Sequence, residues 1–573
     1  MKQLYSLLLF VACSLTAAAK PITLQQAAVK ADRMVRQWNA DAELVPFDLA
    51  NCVKARSLMK PFTDAAPFYA FNTCNNGGFV IIAGDDDFPA VVGYSDVGQF
   101  APDNIPAALS QFLQAYAGYV EDVRNGKAAP PRRDIGDVIS PTTEPVVAPM
   151  LNTQWGQGAP YNYYCPNQWP VGCAALAMAQ IMNYWQFPES GVGSITYGTA
   201  GKNVSVNFAE SHYDWSLMKK KFSSMDWKND AGKNVAKLCF DCGVSCYMDY
   251  NQDGSGSTVV DVYNALFTHF RYNAEAIELY VRDAMADLDA WKSLIYAELD
   301  ALRPILYAGG IYQSDYALSE GHAFILDGYD VDGLVHVNWG WNGNNDGYYD
   351  ITLMNPGAHR FPDGQEMVIG IMPDENGEHT QRKQFRMQMT DPLTIGKASV
   401  VDLGANFNLI VGNLFNHGSY ADTYTIAIML YRSNGEFVQK ASLDASRLIV
   451  TLSSGYGTQG GMVKCNVPAD IADGDYYFCV ETQQKGFDAY VKPFTRGGDV
   501  NNRVPAYIHD GQIFLNEVSD GIHAVSSDDE VIRSTRYFDL SGRSISPAES
   551  ASQVIIRRDT YKDGSVRTTK IQK

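Results

Sequence analysis

"GHAFILDGYDVDGLVHVNWGW", residues 321–341, carries two apolar runs around an Asp- and Gly-rich centre and reads as an antiparallel hairpin. With the turn centred near Asp330, His322 faces Asn338, Phe324 faces His336 and Leu326 faces Leu334. Opposite residues of such a pair hold their Cβ atoms about 4.5–5.5 Å apart on one face. An Asn oxygen there would accept from one ring N–H, fix the tautomer and leave the other nitrogen free to act as a base. The relation depends on register, since a slip of one residue turns every side chain to the other face. The pair also has a plain structural explanation, because buried polar groups need partners whatever they do.

A base of this kind needs a nucleophile. "WPVGCAALAMAQIMNYWQFP" (169–188) supplies Cys173 directly after Pro170 and Gly172, at the start of a helical pattern in which Met178, Ile181, Met182 and Trp185 form one stripe. Free N–H groups and the positive end of the dipole at a helix N-terminus favour thiolate over thiol. Beside His322 the resting state would be a thiolate–imidazolium pair. A neutral Asn suffices as orienter for a pair that is already charge-separated. Alone, Cys173 could equally be a small core residue. Acyl transfer further needs donors for an oxyanion. The backbone N–H of Cys173 is one, and the side chain of Gln157 in "NTQWGQGAPYN" (152–162) is the candidate for the other.

The rest of the chain frames this site. At 573 residues it is too long for one core. The net charge of −19 argues against nucleic acid as a partner, which would require clustered Lys and Arg. Lys2, the apolar run Leu4–Ala12 and Ala17-Ala18-Ala19 read as a signal peptide over residues 1–19, with cleavage before Lys20 favoured over lipidation at Cys13. Of ten cysteines, nine remain after Cys13 is lost, an odd number that leaves at least one thiol unpaired in a monomer. Residues 20–125 look like a separate α/β unit, with helices at 24–38 and 107–124 and a strand in 77–86. The linker 125–145, rich in Pro and Gly and holding Arg132-Arg133, invites proteolysis. Residues 144–373 mix helices and strands and end in "EMVIGIMP". From 380 to 520 the pattern alternates with period two, as in an Ig-like β-sandwich, and a small tail occupies 521–573.

The order Gln157, Cys173, His322, Asn338 is that of papain-like cysteine peptidases. "GCAALAMAQIMNYWQFP", "GHAFILDGYD" and "VHVNWGWNG" resemble the nucleophile helix, histidine strand and Asn-Trp strand of the streptopain family, and "MDYNQDGSGS" (248–257) resembles its substrate loop. The likeness covers about 144–373, and more loosely the prodomain at 20–143. It implies an α+β chain: a two-lobed papain-like catalytic domain behind an α/β prodomain, ahead of the sandwich and a small β tail. It implies a cysteine endopeptidase made as a zymogen, with the prodomain as inhibitor and protein or peptide substrates carrying a bulky apolar P2 residue. Either Asn338 or Trp339 serves as third residue; Gly321, Ser255, Ser257 and Trp341 line the substrate site. The linker is the expected place of activation, with a mature start near Glu144. No cofactor is implied. The alternative within the same fold is a catalytically inactive surface adhesin, and a transamidase could use the same thiol. "YFDLSGR" (537–543) and the closing "SVRTTKIQK" resemble the C-terminal sorting domains of type IX secretion substrates, which implies passage through a diderm envelope and attachment at the outer surface.

Other clusters are set aside. Cys239, Cys242 and Cys246 lack a fourth metal partner, so core packing is expected of them, with a disulfide to Cys239 open. Cys465 and Cys479 lie on sandwich strands and could pair. "GIYQSDYALSEGH" (310–322) reads as a mobile loop over the cleft, and Asp85, Asp86 and Asp87 as a solvated turn.

Overall fold

A computed structural model describes residues 20–131, 144–351 and 365–516, apart from 42, 47–65, 101–104, 283–287, 313–317, 375–376, 378–383, 417–420, 454–455 and 496–500, and the backbone of four strands between 532 and 572. The signal segment, Arg132-Arg133 and most of "YFDLSGR" lie outside the described residues.

The first unit begins with α1 (Leu24–Val35), opened by a capping box: Thr23 Oγ1 accepts from the Gln26 N–H, and Gln26 Oε1 accepts from the Thr23 N–H. Strands β1 (Leu44–Pro46), β2 (Phe68–Thr73), β3 (Phe79–Ala83) and β4 (Val91–Ser95) form an antiparallel meander. The helix α2 (Ala107–Arg124) matches its apolar periodicity. Ala27, Ala31 and Met34 of α1 pack on one face of the meander, and Leu109, Phe112 and Tyr116 of α2 on the other. Asp85 is not a solvated turn residue. It is wholly buried, with Arg124 Nε 3.1 Å from its carboxylate.

The next region has two lobes. One is helical: α3 (Cys173–Trp185), the hairpin β6 (Ser194–Thr199) and β7 (Lys202–Asn207), α4 (Asp230–Ser245) and α5 (Val259–His269) share a core. Gly243 does not end α4, as its composition suggested. It lies inside the helix, and the Tyr250 hydroxyl packs so close to where a Cβ would sit that the position requires glycine. The other lobe is a sheet of β8 (Glu278–Val281), β9 (Ile305–Tyr312), β10 (Leu318–Asp330), β11 (Val335–Asn338), β12 (Gly347–Tyr349) and β13 (Glu366–Ile369), with α6 (Leu288–Asp300) against it. Residues 310–312 and 318–322 are thus strand rather than loop. The short β5 (Pro145–Val147) pairs with the Tyr329–Asp330 end of β10.

The first unit is not separate. β4 pairs with β12, Tyr94 opposite Tyr348 and Gly93 opposite Tyr349, so the meander and the sheet that holds β10 form one continuous sheet. Tyr94 stacks on Tyr348 at 5.0 Å, and its hydroxyl donates to Asp330 at 2.9 Å. Phe112 and Tyr116 lie in the same core as Trp291, Phe324 and Trp339.

Beyond 384, strands from several sheets enclose one core. Leu409 and Val463 come from one sheet; Ile428, Phe478, Ala506 and Ile513 come from another. This region joins the helical lobe through Phe494, whose ring meets Tyr263 of α5 edge-on at 6.1 Å and lies under the Arg386 guanidinium at 3.9 Å. All eight cysteines among the described residues are free. The pairings considered for Cys239 and for Cys465 with Cys479 do not form. Cys465 faces the main core, whereas Cys479 sits on the opposite face of its sheet with Met429 and Tyr477.

Candidate active site

The register of the hairpin differs from the expected one. Ile325, not His322, stands opposite Asn338; Gly328, not Phe324, stands opposite His336; and Asp330 takes Leu334. The reason lies in Asp330. Its carboxylate accepts the N–H groups of Asp332 and Leu334, so it begins the turn instead of forming its apex, and Gly333 closes the turn at φ +78°. A bulge between Leu326 and Gly328 then shifts the pairing by one more residue. Asp327, at the bulge, accepts from the Leu151 N–H and pairs with His336 Nδ1 at 2.6 Å.

His322 pairs along β10 with Gly309 and turns its ring to the cleft, where it is 6% exposed. Its Nε2 lies 3.1 Å from the backbone oxygen of Trp339, so that nitrogen carries the hydrogen and Nδ1 faces the sulfur of Cys173, with which the ring is hydrogen-bonded. The orienting group is a peptide carbonyl, not the Asn338 side chain. The Asn338 amide instead donates to the Thr153 carbonyl at 2.9 Å, and its oxygen accepts from Gln180 Nε2 at 3.3 Å and from the Gly340 N–H at 3.0 Å.

Cys173 opens α3, as its sequence position implied. Gly172 before it has φ +92°, and a Cβ there would lie 2.5 Å from the Met248 sulfur, so the entry to the helix needs glycine. The Ala323 N–H, next to His322, donates to Cys173 Sγ at 3.3 Å. Burial pushes the Cys173 thiol up, but the His322 charge, the hydrogen bond from its ring and the N–H groups of Ala323 and Ala174 outweigh it, and the thiol falls below its ordinary value. Burial pushes His322 down, and the Cys173 charge, the bond to its sulfur and the Trp339 carbonyl reverse that, so the imidazole rises. Both directions describe one thiolate–imidazolium pair.

Gln157 is half-buried, and its backbone oxygen accepts the Val171 N–H at 3.1 Å, which ties its loop to the approach to the nucleophile. The Trp339 ring is fully buried behind Phe324, 4.8 Å from that ring and 5.3 Å from Tyr349, and Phe324 in turn stacks 6.5 Å from the imidazole; Trp339 meets His322 through its carbonyl. The ring beside the imidazole is Trp341, edge-on at 6.1 Å and half-buried. Gly321 is exposed at the mouth of the cleft. The hydroxyls expected to meet substrate are otherwise engaged. Ser255 donates to the Pro170 carbonyl at 2.6 Å and Ser257 to that of Cys246. Their role is to fasten the loop 248–257 beside Gly172.

Thr153 and Gln180 escaped the reading of the sequence. Gln180 gave a faint signal, a lone amide in the apolar run of α3; Thr153 gave none.

The family model described as Peptidase C10 matches residues 155–349, and that of the Spi protease inhibitor matches residues 19–120. The thiol protease/hemagglutinin PrtT of Porphyromonas gingivalis is 34% identical over 341 residues, which are 55% of this chain and 38% of that protein. Streptopain of Streptococcus pyogenes is 30% identical over 340 residues, 53% of this chain and 80% of that protein. Among solved structures, a prointerpain A fragment from Prevotella intermedia is 31% identical with a TM-score of 0.45, covering 55% of this chain and 98% of that one.

Proposed function

This chain belongs to the peptidase C10 family, that of streptopain, and joins a cysteine peptidase to an inhibitor-type prodomain; from that premise we propose the residues and steps of its catalysis. The Cys173 thiolate attacks the scissile carbonyl of a protein or peptide. The Cys173 N–H and the Gln157 side chain receive the oxyanion. His322 gives its Nδ1 proton to the departing amine, and the acyl bond to sulfur remains. The ring then takes a proton from water, whose oxygen attacks the acyl carbon and returns the thiolate. Trp341 narrows access to the ring, and Asn338 acts through the backbone rather than on the ring. The observation that carries this reading is the sulfur of Cys173 held between the His322 ring and the Ala323 N–H at the head of a helix.

The wider organisation belongs to the same proposal. Residues 1–19 would direct export and be removed with it, and activation would follow a cut in 125–145 that leaves a start near Glu144. Residues 380–520 would form an Ig-like sandwich and 521–573 a sorting tail for the surface of a diderm cell. The substrate would carry a bulky apolar P2 side chain. After prodomain removal, casein should be cleared, an epoxysuccinyl thiol inhibitor should stop the clearing, and Cys173→Ala should reduce it to background. Wild-type protein that stays inert after that cut would instead support the adhesin reading. One finding favours keeping that second reading in view: the relative PrtT is described as a hemagglutinin as well as a thiol protease.

A further inference from the structure

His322 takes its orientation from a peptide group, so whatever fixes that group also fixes the ring. The Trp339 carbonyl and the Gly340 N–H belong to one planar unit. The carbonyl accepts from His322 at 3.1 Å and the N–H donates to Asn338 Oδ1 at 3.0 Å, so rotating the plane would break both bonds. The Asn338 amide can point only one way. Its nitrogen faces the Thr153 carbonyl, which can only accept, and its oxygen faces the Gly340 N–H, which can only donate. That choice dictates the next. Gln180 presents Nε2 to Asn338 Oδ1, and its own oxygen receives the Thr153 hydroxyl at 2.6 Å. Gln180 is 0% exposed, and Thr153 and Asn338 are 3% exposed. A dry polar network with its members paired holds one geometry.

The network crosses the cleft. Gln180 lies two turns after Cys173 on α3. The helix that carries the sulfur therefore also carries the group that steadies the plane orienting the imidazole. Thr153 precedes Gln157 by one short stretch of the same loop, and the turn at Gly340 comes close enough to α3 that a Cβ there would lie 3.0 Å from Leu176.

We propose that Gln180 and Thr153 are positioning residues for His322, a brace between the lobes that acts through Asn338 and the Trp339–Gly340 peptide. The proposal rests on the peptidase reading given above.

The test uses the full chain after activation, with a peptide substrate and with iodoacetamide as a probe of the thiolate. Gln180→Met keeps the length of the side chain but removes the donor to Asn338 Oδ1 and the acceptor for Thr153. It should lower kcat about 10- to 100-fold with KM changed less than about twofold, the scale expected for a displaced catalytic group. The pH profile of kcat/KM should narrow from both sides. A ring that loses its fixed acceptor gives up its proton at lower pH, and the sulfur then gains one at higher pH. Thr153→Val should follow in the same direction, and Thr153→Ser, which keeps the hydroxyl, should recover most of the loss. Adding Gln180→Met to Asn338→Ala should cost little more than Asn338→Ala alone. Folded Gln180→Met and Thr153→Val with wild-type kcat and unmoved pH limbs would overturn the brace, as would Thr153→Ser as impaired as Thr153→Val. If Gln180→Met does not fold, the two Thr153 variants decide. Failure of the underlying reading looks different: there the wild type itself is inert and its alkylation is insensitive to His322→Ala.

Discussion

Cys173 and Cys242 belong to the same helical lobe, yet their surroundings drive them in opposite directions. Cys242 on α4 is fully buried with its sulfur 3.6 Å from that of Met182. Burial pushes its thiol well up, the neighbouring Cys239, Cys246 and Asp241 push further, and Lys237 does not offset them. Cys165 and Cys246 are likewise pushed up to about 12, chiefly by burial. Cys173 is partly buried, and burial pushes its thiol up too, but it heads a helix and meets a ring that can carry positive charge. Cysteine content therefore says little about reactivity here. Partners decide it, and the partner comes from the other lobe.

That comparison can be broken most directly by removing each sulfur in turn. Cys173→Ala should cost about 10⁴-fold or more in kcat/KM, the scale seen when a nucleophile is deleted. Cys242→Ala should leave kcat/KM within about twofold, and an equal loss in both would dissolve the distinction. The next effect is in pH. The active pair exists above the lowered Cys173 pKa and below the raised His322 pKa. Activity on a peptide substrate should therefore rise through an acid limb below about 8.5, the ordinary thiol value, and fall through an alkaline limb above about 6.5, the ordinary imidazole value. A single rise at the ordinary thiol value of about 8.5 would mean that His322 does not hold Cys173 as a thiolate. Trp341→Ala should lower kcat/KM about 3- to 10-fold through loss of the ring edge beside His322, read by steady-state kinetics. The smallest effect separates the two cysteines by stability. Cys242→Ala should cost about 1–2 kcal/mol in denaturant unfolding, as expected of a small cavity in a packed core.

Much of this was legible in the chain. The span of α3 and the place of Cys173 at its head follow from Gly172, Pro170 and the apolar stripe. The span of α2 follows from periodicity to the residue, whereas α1, read over 24–38, begins as expected but ends at Val35. The hairpin was visible, but its register was not, because Asp330 accepts backbone N–H groups and so moves the turn, and a bulge adds a residue that alternation cannot show. The pairing of β4 with β12 joins segments about 250 residues apart, and nothing local in "VVGYS" or "GYY" announces it. The brace escaped because two of its links are backbone groups, and the sequence does not name which peptide faces which side chain.

The central claim is that Cys173 rests as a thiolate paired with His322. The direct test is the pH dependence of iodoacetamide alkylation at Cys173 in the activated protein, in wild type and in His322→Ala. The account predicts that wild-type alkylation reaches half its plateau below about pH 8.5, the ordinary thiol value, and that His322→Ala moves this midpoint upward. A wild-type midpoint at the ordinary value, unchanged by loss of the ring, would contradict it.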